Sequence, residues 1–260
     1  MIYFVSDAHI GSLAMGDNIG HQQRFVALLK DMMRDAEAIY LVGDIFDFWY
    51  EYLWSNEAHF RQFSLVLDAL REAAECCEVH YFIGNHDIWT FGWLERRTGV
   101  RIHRAPEVVT LYGKRCYIAH GDGLVPRDMM KRYPKEVRRK IKRFMMLRRF
   151  FHNPVPQFLF SLVPPTWGDK FGYAWARKSR EKELCNPCGY KGENNEELVL
   201  YAKEHEQSEH CDYYIFGHRH IELDLELATR ARVVILGDFF RQFTYARMEK
   251  GNLTLEYDER

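Results

Sequence analysis

Five short polar motifs recur along this chain of 260 residues, and each follows an apolar, strand-like run. The motifs supply carboxylate, amide and imidazole side chains, and they extend from residue 7 to residue 220. Groups so far apart in sequence can meet only if the preceding strands end at one edge of the fold. In chain order the motifs are Asp7-Ala8-His9, Gly43-Asp44-Ile45-Phe46-Asp47, Gly84-Asn85-His86-Asp87, His120-Gly121-Asp122 and Gly217-His218-Arg219-His220.

The pattern of apolar residues in the first half predicts an α/β fold. Buried strands are predicted at 2–5, 38–42 and 79–83, because each is a short and nearly continuous apolar run. The two segments between them, 22–35 and 57–74, carry apolar residues at helical spacing. Alternating strands and helices favour a parallel sheet, in which the carboxyl ends of the strands share one edge.

The second half of the chain predicts another, more antiparallel sheet. Residues 108–111 and 115–119 have the pattern of a hairpin, and the last two strands are joined by a turn at Lys250-Gly251-Asn252. The remaining strands are predicted at 212–216, 232–236, 243–248 and 252–257. We therefore expect two packed sheets flanked by helices, which is an αββα sandwich.

Residues 124–195 interrupt this pattern. Prolines divide the segment into short helical stretches that are rich in Phe, Met and Leu. Between residues 127 and 149 there are eleven Lys or Arg against two acidic residues, although the formal net charge of the whole chain is −1. We predict a core made of residues 1–123 and 196–260, with residues 124–195 inserted as a helical lid over the polar motifs.

The polar motifs predict a site for two neighbouring divalent cations. Asp7 and His9 are two residues apart just after a strand, so both side chains can point the same way. Mixed oxygen and nitrogen ligands suit Mn²⁺, Fe or Zn²⁺ better than Ca²⁺ or Mg²⁺. The candidate ligands, with Asp44 shared between the two cations, are Asp7, His9, Asp44, Asn85, His120, His218 and His220.

The order of the motifs resembles the calcineurin-like metallophosphoesterase superfamily over residues 1–123 and 212–240. This resemblance implies a hydrolase in which two cations hold the phosphoryl oxygens and acidify a bridging water. It implies one cation held by Asp7, His9, Asp44 and His220, and another held by Asp44, Asn85, His120 and His218.

The same resemblance assigns roles to three further residues. His86 would stabilise or protonate the reacting phosphoryl group, and Asp87 would orient the His86 ring. Asp47 would not bind a cation itself but would contact and orient residues that do. From the residues alone, His86 can also be read as a polar side chain satisfied within its turn.

The lid resembles one branch of that superfamily, the UDP-2,3-diacylglucosamine pyrophosphatases of lipid A biosynthesis, over 151–164 and 173–180. The resemblance implies a Mn²⁺ enzyme that cleaves a UDP-linked diacyl sugar to UMP and 2,3-diacylglucosamine 1-phosphate. It implies substrate contacts at Asn85, Asp122, Ser179 and Arg180. Where the best-known members of the branch have Arg after the motif Asn, this chain has His86, which leaves another lipid or nucleotide substrate open.

The basic and aromatic lid predicts docking on an anionic membrane surface. We expect a cytoplasmic protein, peripheral on the inner face of a bacterial inner membrane. The N-terminus shows no signal-peptide pattern, and no apolar run approaches the roughly 20 residues of a membrane span.

Two alternatives stay open at this point. One is a phosphatase, phosphodiesterase or nuclease acting on another nucleotide, lipid or nucleic acid, with the basic stretch gripping phosphates. The other is a peripheral membrane or RNA-binding protein with an inert metal site. The interleaved Phe, Met and Leu favour lipid, so no specific nucleic-acid partner is expected.

The six cysteines give little indication of a further site. Cys185 and Cys188 form one CxxC, but a tetrahedral zinc site needs two more ligands and the sequence has no second CxxC. We expect reduced cysteines, as in a cytosolic protein.

Overall fold

Eleven strands and eight α-helices make up the described part of the chain. The computed structural model describes residues 1–14, 16–185 and 189–260, except for the side chains of Asp128 and residues 179–185. The strands are β1 (Ile2–Val5), β2 (Ala38–Val42), β3 (Glu78–Phe82), β4 (Arg101–His103), β5 (Glu107–Leu111), β6 (Lys114–Ala119), β7 (Tyr213–Phe216), β8 (Glu222–Glu226), β9 (Arg232–Leu236), β10 (Thr244–Glu249) and β11 (Asn252–Tyr257). The helices are α1 (Asn18–Met32), α2 (Ser64–Cys76), α3 (Trp93–Thr98), α4 (Arg127–Arg132), α5 (Lys135–Phe151), α6 (Pro154–Ser161), α7 (Pro165–Cys185) and α8 (Glu197–Glu206).

The strands form two mixed sheets. The first has six strands in the order β11-β10-β1-β2-β3-β4, and the second has five in the order β5-β6-β7-β9-β8. Strands β1 to β4 pair in parallel, and so do β6, β7 and β9. The outer strands β10, β11, β5 and β8 pair antiparallel. Helices α1 and α2 follow β1 and β2, as parallel connections require.

The two sheets pack face to face and helices cover their outer faces. Along β1, Ile2 and Phe4 point into the layer between the sheets, whereas Tyr3 and Val5 pack against α1 and α2. The outer face of the second sheet is covered by α8, through residues that include Leu198. These layers confirm the predicted αββα sandwich.

An aromatic platform supports the helices that follow β6. It consists of Phe48, Tyr50, Tyr52, Ile88 and Trp89, with Ile83, Phe160 and Tyr173 packed against it. Helix α7 lies close to this platform, because Cβ atoms at Gly168 and Gly172 would overlap the Tyr52 hydroxyl and the Phe48 ring. Small residues facing the platform are therefore what allow this close packing.

Helix α5 differs from α7 in how it meets the rest of the molecule. All of α5 is described, and none of its side chains is fully buried. It carries exposed cations together with exposed Phe144, Met146, Leu147 and Phe150. Among the described residues, no helix combines the length and the apolar character that crossing a bilayer needs.

Both helices predicted in the first half differ from the structure in their bounds. The helix predicted over 22–35 is α1, which runs over Asn18–Met32. The sequence predicts a helix over 57–74, but α2 begins at Ser64 after a 3-10 turn at Arg61–Phe63. Phe60 and Phe63 have helical spacing, yet their rings pack on Trp49, which draws this part of the chain out of the helix. Strands β4 and β8 were not predicted, because each is a short or largely polar edge strand.

The close packing of α7 gives a first prediction. Replacing Gly172 with Ala should destabilise the protein by about 1–3 kcal/mol, because the added methyl group overlaps the ring of Phe48, which is 4% exposed. Thermal unfolding followed by tryptophan fluorescence measures the effect. Gly16→Ala is the matched control, since a Cβ atom there meets nothing within 4 Å. Equal melting temperatures for both variants would contradict this account of the packing.

Candidate metal centre

The loops that carry the five motifs meet at the carboxyl ends of the parallel strands. Backbone hydrogen bonds join them, from Asp7 N to Gly43 O and from His9 N to Asp44 O, both at 3.0 Å. In the second sheet, Gly217 N donates to His120 O at 3.0 Å. Main-chain hydrogen bonds therefore join these loops independently of their side chains.

The backbone at these loops is held in an uncommon conformation. A left-handed backbone in a non-glycine residue costs about 1–3 kcal/mol and persists only where the surroundings impose it. Nine non-glycine residues of the described chain have positive φ, and five of them are candidate metal ligands. These five are Asp7, His9, Asp44, His218 and His220.

A first group of candidate ligand atoms is formed by Asp7, His9 and His220. Asp7 Oδ1 lies 3.0 Å from His220 Nε2 and 3.7 Å from His9 Nε2, and the two Nε2 atoms are 3.3 Å apart. All three residues are buried. Their ligand atoms lie within 4.8 Å of one another, so one cation could contact all three.

A second group is formed by Asp44, His120 and His218. Asp44 Oδ2 lies 3.3 Å from His120 Nε2, and the rings of His120 and His218 are 5.1 Å apart. Asp44 Oδ2 is also 4.0 Å from His9 Nε2, which belongs to the first group. Asp44 therefore lies between the two groups, as a carboxylate shared by two cations would.

The donor set fits divalent cations. Asn85 lies between Gly84 and His86, which both lie against Asp44, and its side-chain oxygen Oδ1 is buried with no hydrogen-bond partner among the described residues. A buried oxygen of this kind is costly unless something else contacts it. Glycine beside the ligands leaves the room they need, since Cβ atoms at Gly43 and Gly84 would overlap His120 and Asp44.

Electrostatics in the centre favours charged carboxylates and a neutral imidazole. Burial alone would raise the pKa of Asp7, but the charge of His220 and hydrogen bonds from His220 and His9 hold it well below its usual value. The pKa of Asp44 is held down in the same way, mainly by His120 against the effect of burial. Burial and the charge of His120 lower the pKa of His218 to about 4. Burial would lower the pKa of His120, but Asp44 raises it well above its usual value. Metals bind the deprotonated forms of these groups, so a cation at His120 would displace a proton.

Carboxylate and carbonyl oxygens around the centre hold the rings of the candidate ligands. Asp47 Oδ1 lies 3.2 Å from His9 Nδ1, and the family resemblance gave Asp47 a supporting role. His120 Nδ1 donates to the carbonyl of Val42 at 2.9 Å. Such contacts fix a ring with its other nitrogen turned toward the metal position.

Asp238 is a buried acidic residue near the candidate ligands that the sequence analysis missed. Its carboxylate is fully buried, and Oδ2 lies 3.6 Å from His220 Nδ1. The other oxygen, Oδ1, accepts hydrogen bonds from the backbone of Phe240, Arg241 and Gln242. The signal was present, because Gly237-Asp238 follows β9 just as Gly43-Asp44 follows β2.

The resemblance gave Asp87 the role of orienting the His86 ring, and the described residues show other partners for its carboxylate. Its carboxylate accepts from Gly84 N at 2.6 Å, from Ile45 N at 2.8 Å and from the Tyr81 hydroxyl at 2.6 Å. Two of these donors are backbone groups, so the carboxylate joins the Gly84 turn to the loop that follows β2.

The backbone carbonyl of Asp47 is what holds the His86 ring. His86 is 1% exposed, and its Nδ1 donates to Asp47 O at 2.6 Å. A His86 ring nitrogen lies within 4.8 Å of ligand atoms of His9 and Asp44. On its other side the ring meets Trp175 of α7, with ring centroids 5.2 Å apart. His86 therefore lies between the metal groups and the α7 helix.

The predicted substrate contacts are only partly described. Asp122 is 7% exposed and accepts a 2.5 Å hydrogen bond from Arg148 Nε of α5, which joins this helix to the His120 loop. The backbone of Ser179 and Arg180 lies in α7, but their side chains are outside the described residues. The Cys185 side chain and the whole of Cys188 also lie outside the described residues.

The shared position of Asp44 gives a second prediction. Asp44→Asn should bind less than half the metal of the wild type, because a neutral amide replaces the carboxylate of the second group that also lies 4.0 Å from His9 of the first group. Elemental analysis after incubation with Mn²⁺ measures the metal content. Asp212→Asn is the control, since Asp212 pairs with Lys114 at the opposite end of the strands. Unchanged metal content in Asp44→Asn would rule out a shared carboxylate.

Comparison with known proteins identifies the family of this chain. Residues 1–222 match the model of the calcineurin-like phosphoesterase family. A UDP-2,3-diacylglucosamine hydrolase of Porphyromonas gingivalis is 36% identical over 267 residues, covering 98% of this chain and 96% of that protein. A relative of the same name from Serratia proteamaculans is 27% identical and covers 90% of this chain and 89% of its own length. A dimetal phosphatase from Danio rerio, 14% identical, gives a TM-score of 0.47 over 98% of this chain and 94% of its own. The resemblance seen in the motifs is confirmed, and the chain belongs to the calcineurin-like phosphoesterase family.

Proposed function

We propose that this enzyme hydrolyses the pyrophosphate bond of UDP-2,3-diacylglucosamine and releases UMP and 2,3-diacylglucosamine 1-phosphate. One observation carries the proposal, namely 36% identity over 98% of the chain to a protein named UDP-2,3-diacylglucosamine hydrolase. A match of this extent includes both the loops of the metal centre and the helices α4 to α7.

The metal centre supplies the reactive part of this proposal. The family acts with divalent metal ions, and we assign one cation to Asp7, His9, Asp44 and His220. The second is assigned to Asp44, Asn85, His120 and His218. Bound there, the two cations would supply Lewis acidity for the phosphoryl oxygens and for the attacking water. The mixture of imidazole and carboxylate ligands is compatible with Mn²⁺, Fe or Zn²⁺, and of these we propose Mn²⁺.

His86 is assigned the proton transfer at the phosphoryl group. Because the Asp47 carbonyl can only accept, His86 Nδ1 keeps its hydrogen and the ring is fixed in one tautomer. Nε2 is then the ring atom that gains or gives up a proton. The Trp175 ring covers His86 on the α7 side, which limits the access of bulk water to that transfer.

Helices α4 to α7 are assigned to the lipid part of the substrate. Residues 124–195 contain these helices, and we keep them as a lid inserted into the core. Exposed apolar side chains are unusually dense here, and acyl chains contribute about 0.8 kcal/mol for each methylene that they bury. The most exposed of these side chains are Trp167 (73%), Phe171 (68%), Met146 (67%), Val155 (64%), Leu159 (60%) and Phe158 (59%).

A membrane surface is assigned to the cationic face of α5. A diacyl sugar resides in a bilayer, and α5 presents cations beside the exposed apolar side chains of the lid. Each cation near an anionic leaflet contributes about 1 kcal/mol. We propose that the protein works on the cytoplasmic side of a bacterial inner membrane, peripherally bound.

Turnover of the proposed substrate is a third prediction. Wild-type protein with Mn²⁺ should release UMP from UDP-2,3-diacylglucosamine. His86→Gln should lower kcat by about 10²–10⁴-fold, because the proton-transferring nitrogen is lost. His210→Gln, which alters an exposed histidine paired with Glu206, is the control and should keep the wild-type rate. Release of UMP is followed by chromatography.

The same assay distinguishes a wrong substrate from a wrong enzyme class. Hydrolysis of an aryl phosphodiester without UMP release from the diacyl sugar would reject the substrate and keep the enzyme class. Failure with both substrates in the presence of Mn²⁺ would reject the enzyme class as well.

Binding to vesicles is a fourth prediction. Neutralising Arg139, Lys142 and Arg143 of α5 with Gln should weaken binding to vesicles that contain anionic lipid by roughly 100-fold, at about 1 kcal/mol for each cation. Co-sedimentation with the vesicles measures the affinity.

Exposed cations outside α5 provide the matched control for vesicle binding. The triple change of Arg34, Arg230 and Lys250 to Gln removes the same charge from other surfaces. If both triple variants lose the same affinity, net charge rather than α5 directs the binding. If neither loses affinity, the membrane surface is wrongly assigned.

A further inference from the structure

The first turn of α8 lies against both loops that carry candidate ligands in the second sheet. Leu198 packs on the His120 loop, since a Cβ atom at Gly121 would lie 3.1 Å from Leu198 Cδ1. Glu196, at the N-cap of the same helix, reaches the His218 loop. One short stretch of chain therefore contacts the loops of His120, His218 and His220.

Glu196 makes a two-point ion pair with Arg219. Arg219 Nε donates to Oε1 at 2.7 Å, and its Nη2 donates to Oε2 at 3.3 Å. The Glu196 side chain is completely buried and that of Arg219 is 13% exposed. A paired guanidinium and carboxylate have a fixed relative orientation, so the pair restrains direction as well as distance.

Arg219 is placed where this restraint matters most. It separates His218 from His220, which belong to the two different ligand groups. Both histidines have a left-handed backbone, with φ of 66° and 50°, and Arg219 N donates to Gly217 O at 2.7 Å. A loop in such a conformation needs an external contact to hold it, because it would relax if left to itself.

We propose that Glu196 is a positioning residue for the metal centre. Through Arg219 it holds His218 and His220 at the separation that two cations require, while Leu198 of the same helix supports the His120 loop. The inference rests on the assignment of these histidines as metal ligands in the proposed function. An ion pair that only added stability would leave metal affinity unchanged in a folded variant.

The test removes both charges together. Glu196→Met combined with Arg219→Met replaces a buried ion pair by apolar side chains of similar size, a change that folded proteins commonly tolerate. Manganese affinity is measured by calorimetry, and the spectrum of the coupled manganese pair by electron paramagnetic resonance, both without substrate. Affinity should fall by about 10–100-fold, the usual effect of losing a residue that orients a ligand. Wild-type affinity in a folded double variant would overturn the proposal.

Two further variants keep the test decisive. Arg219→Lys retains the charge but loses the two-point contact, so it should lose part of the affinity even if the double variant does not fold. Unchanged affinity in Arg219→Lys would also count against the proposal. The double change Arg24→Met and Asp258→Met removes a comparable ion pair between α1 and the C-terminal tail and should keep wild-type affinity. If the wild type binds no manganese, the metal assignment itself fails, and with it the proposed function.

Discussion

The carboxylate of Asp44 is the interaction on which the rest of the centre depends. Its Oδ1 accepts the backbone hydrogen of His86, and its Oδ2 lies beside His120. A charge buried to this degree is stable only where opposite charges and donors surround it, so the neighbouring loops are arranged around it. The left-handed turns and the glycines at Gly43 and Gly84 follow from the same need, because they bring backbone and side chains into contact with this one group.

Much of this arrangement could be predicted from the sequence, because strands and ligand motifs have local signals. The strands β1, β2, β9 and β11 have the predicted bounds, and each predicted ligand lies at the end of a strand or in the turn that follows it. The sequence carries no comparable local signal for which polar groups contact one another in the folded chain. Asp87 was assigned to the neighbouring ring of His86, but the nearby backbone donors of Gly84 and Ile45 take up its carboxylate. Asp238 was missed although its motif repeats that of Asp44.

The helices after β6 show a different limit of sequence reasoning. Their composition indicates an apolar and basic helical segment, but composition does not tell which apolar residues are covered. In the structure, α7 lies on the aromatic platform through Gly168 and Gly172, whereas α5 has no fully buried side chain along its described length. The three-dimensional structure is needed to tell α7, which fixes these helices to the core, from α5, which faces outward.

The backbone bonds between the ligand loops have a consequence for the choice of metal. Asp7 and His9 are tied to the next loop by main-chain hydrogen bonds, and Gly217 is tied to His120. A frame held by the polypeptide itself does not have to be assembled by the incoming ion. Because affinity for divalent transition metals follows much the same order at any such site, the geometry of this preformed frame and the metals available together decide which ion it carries.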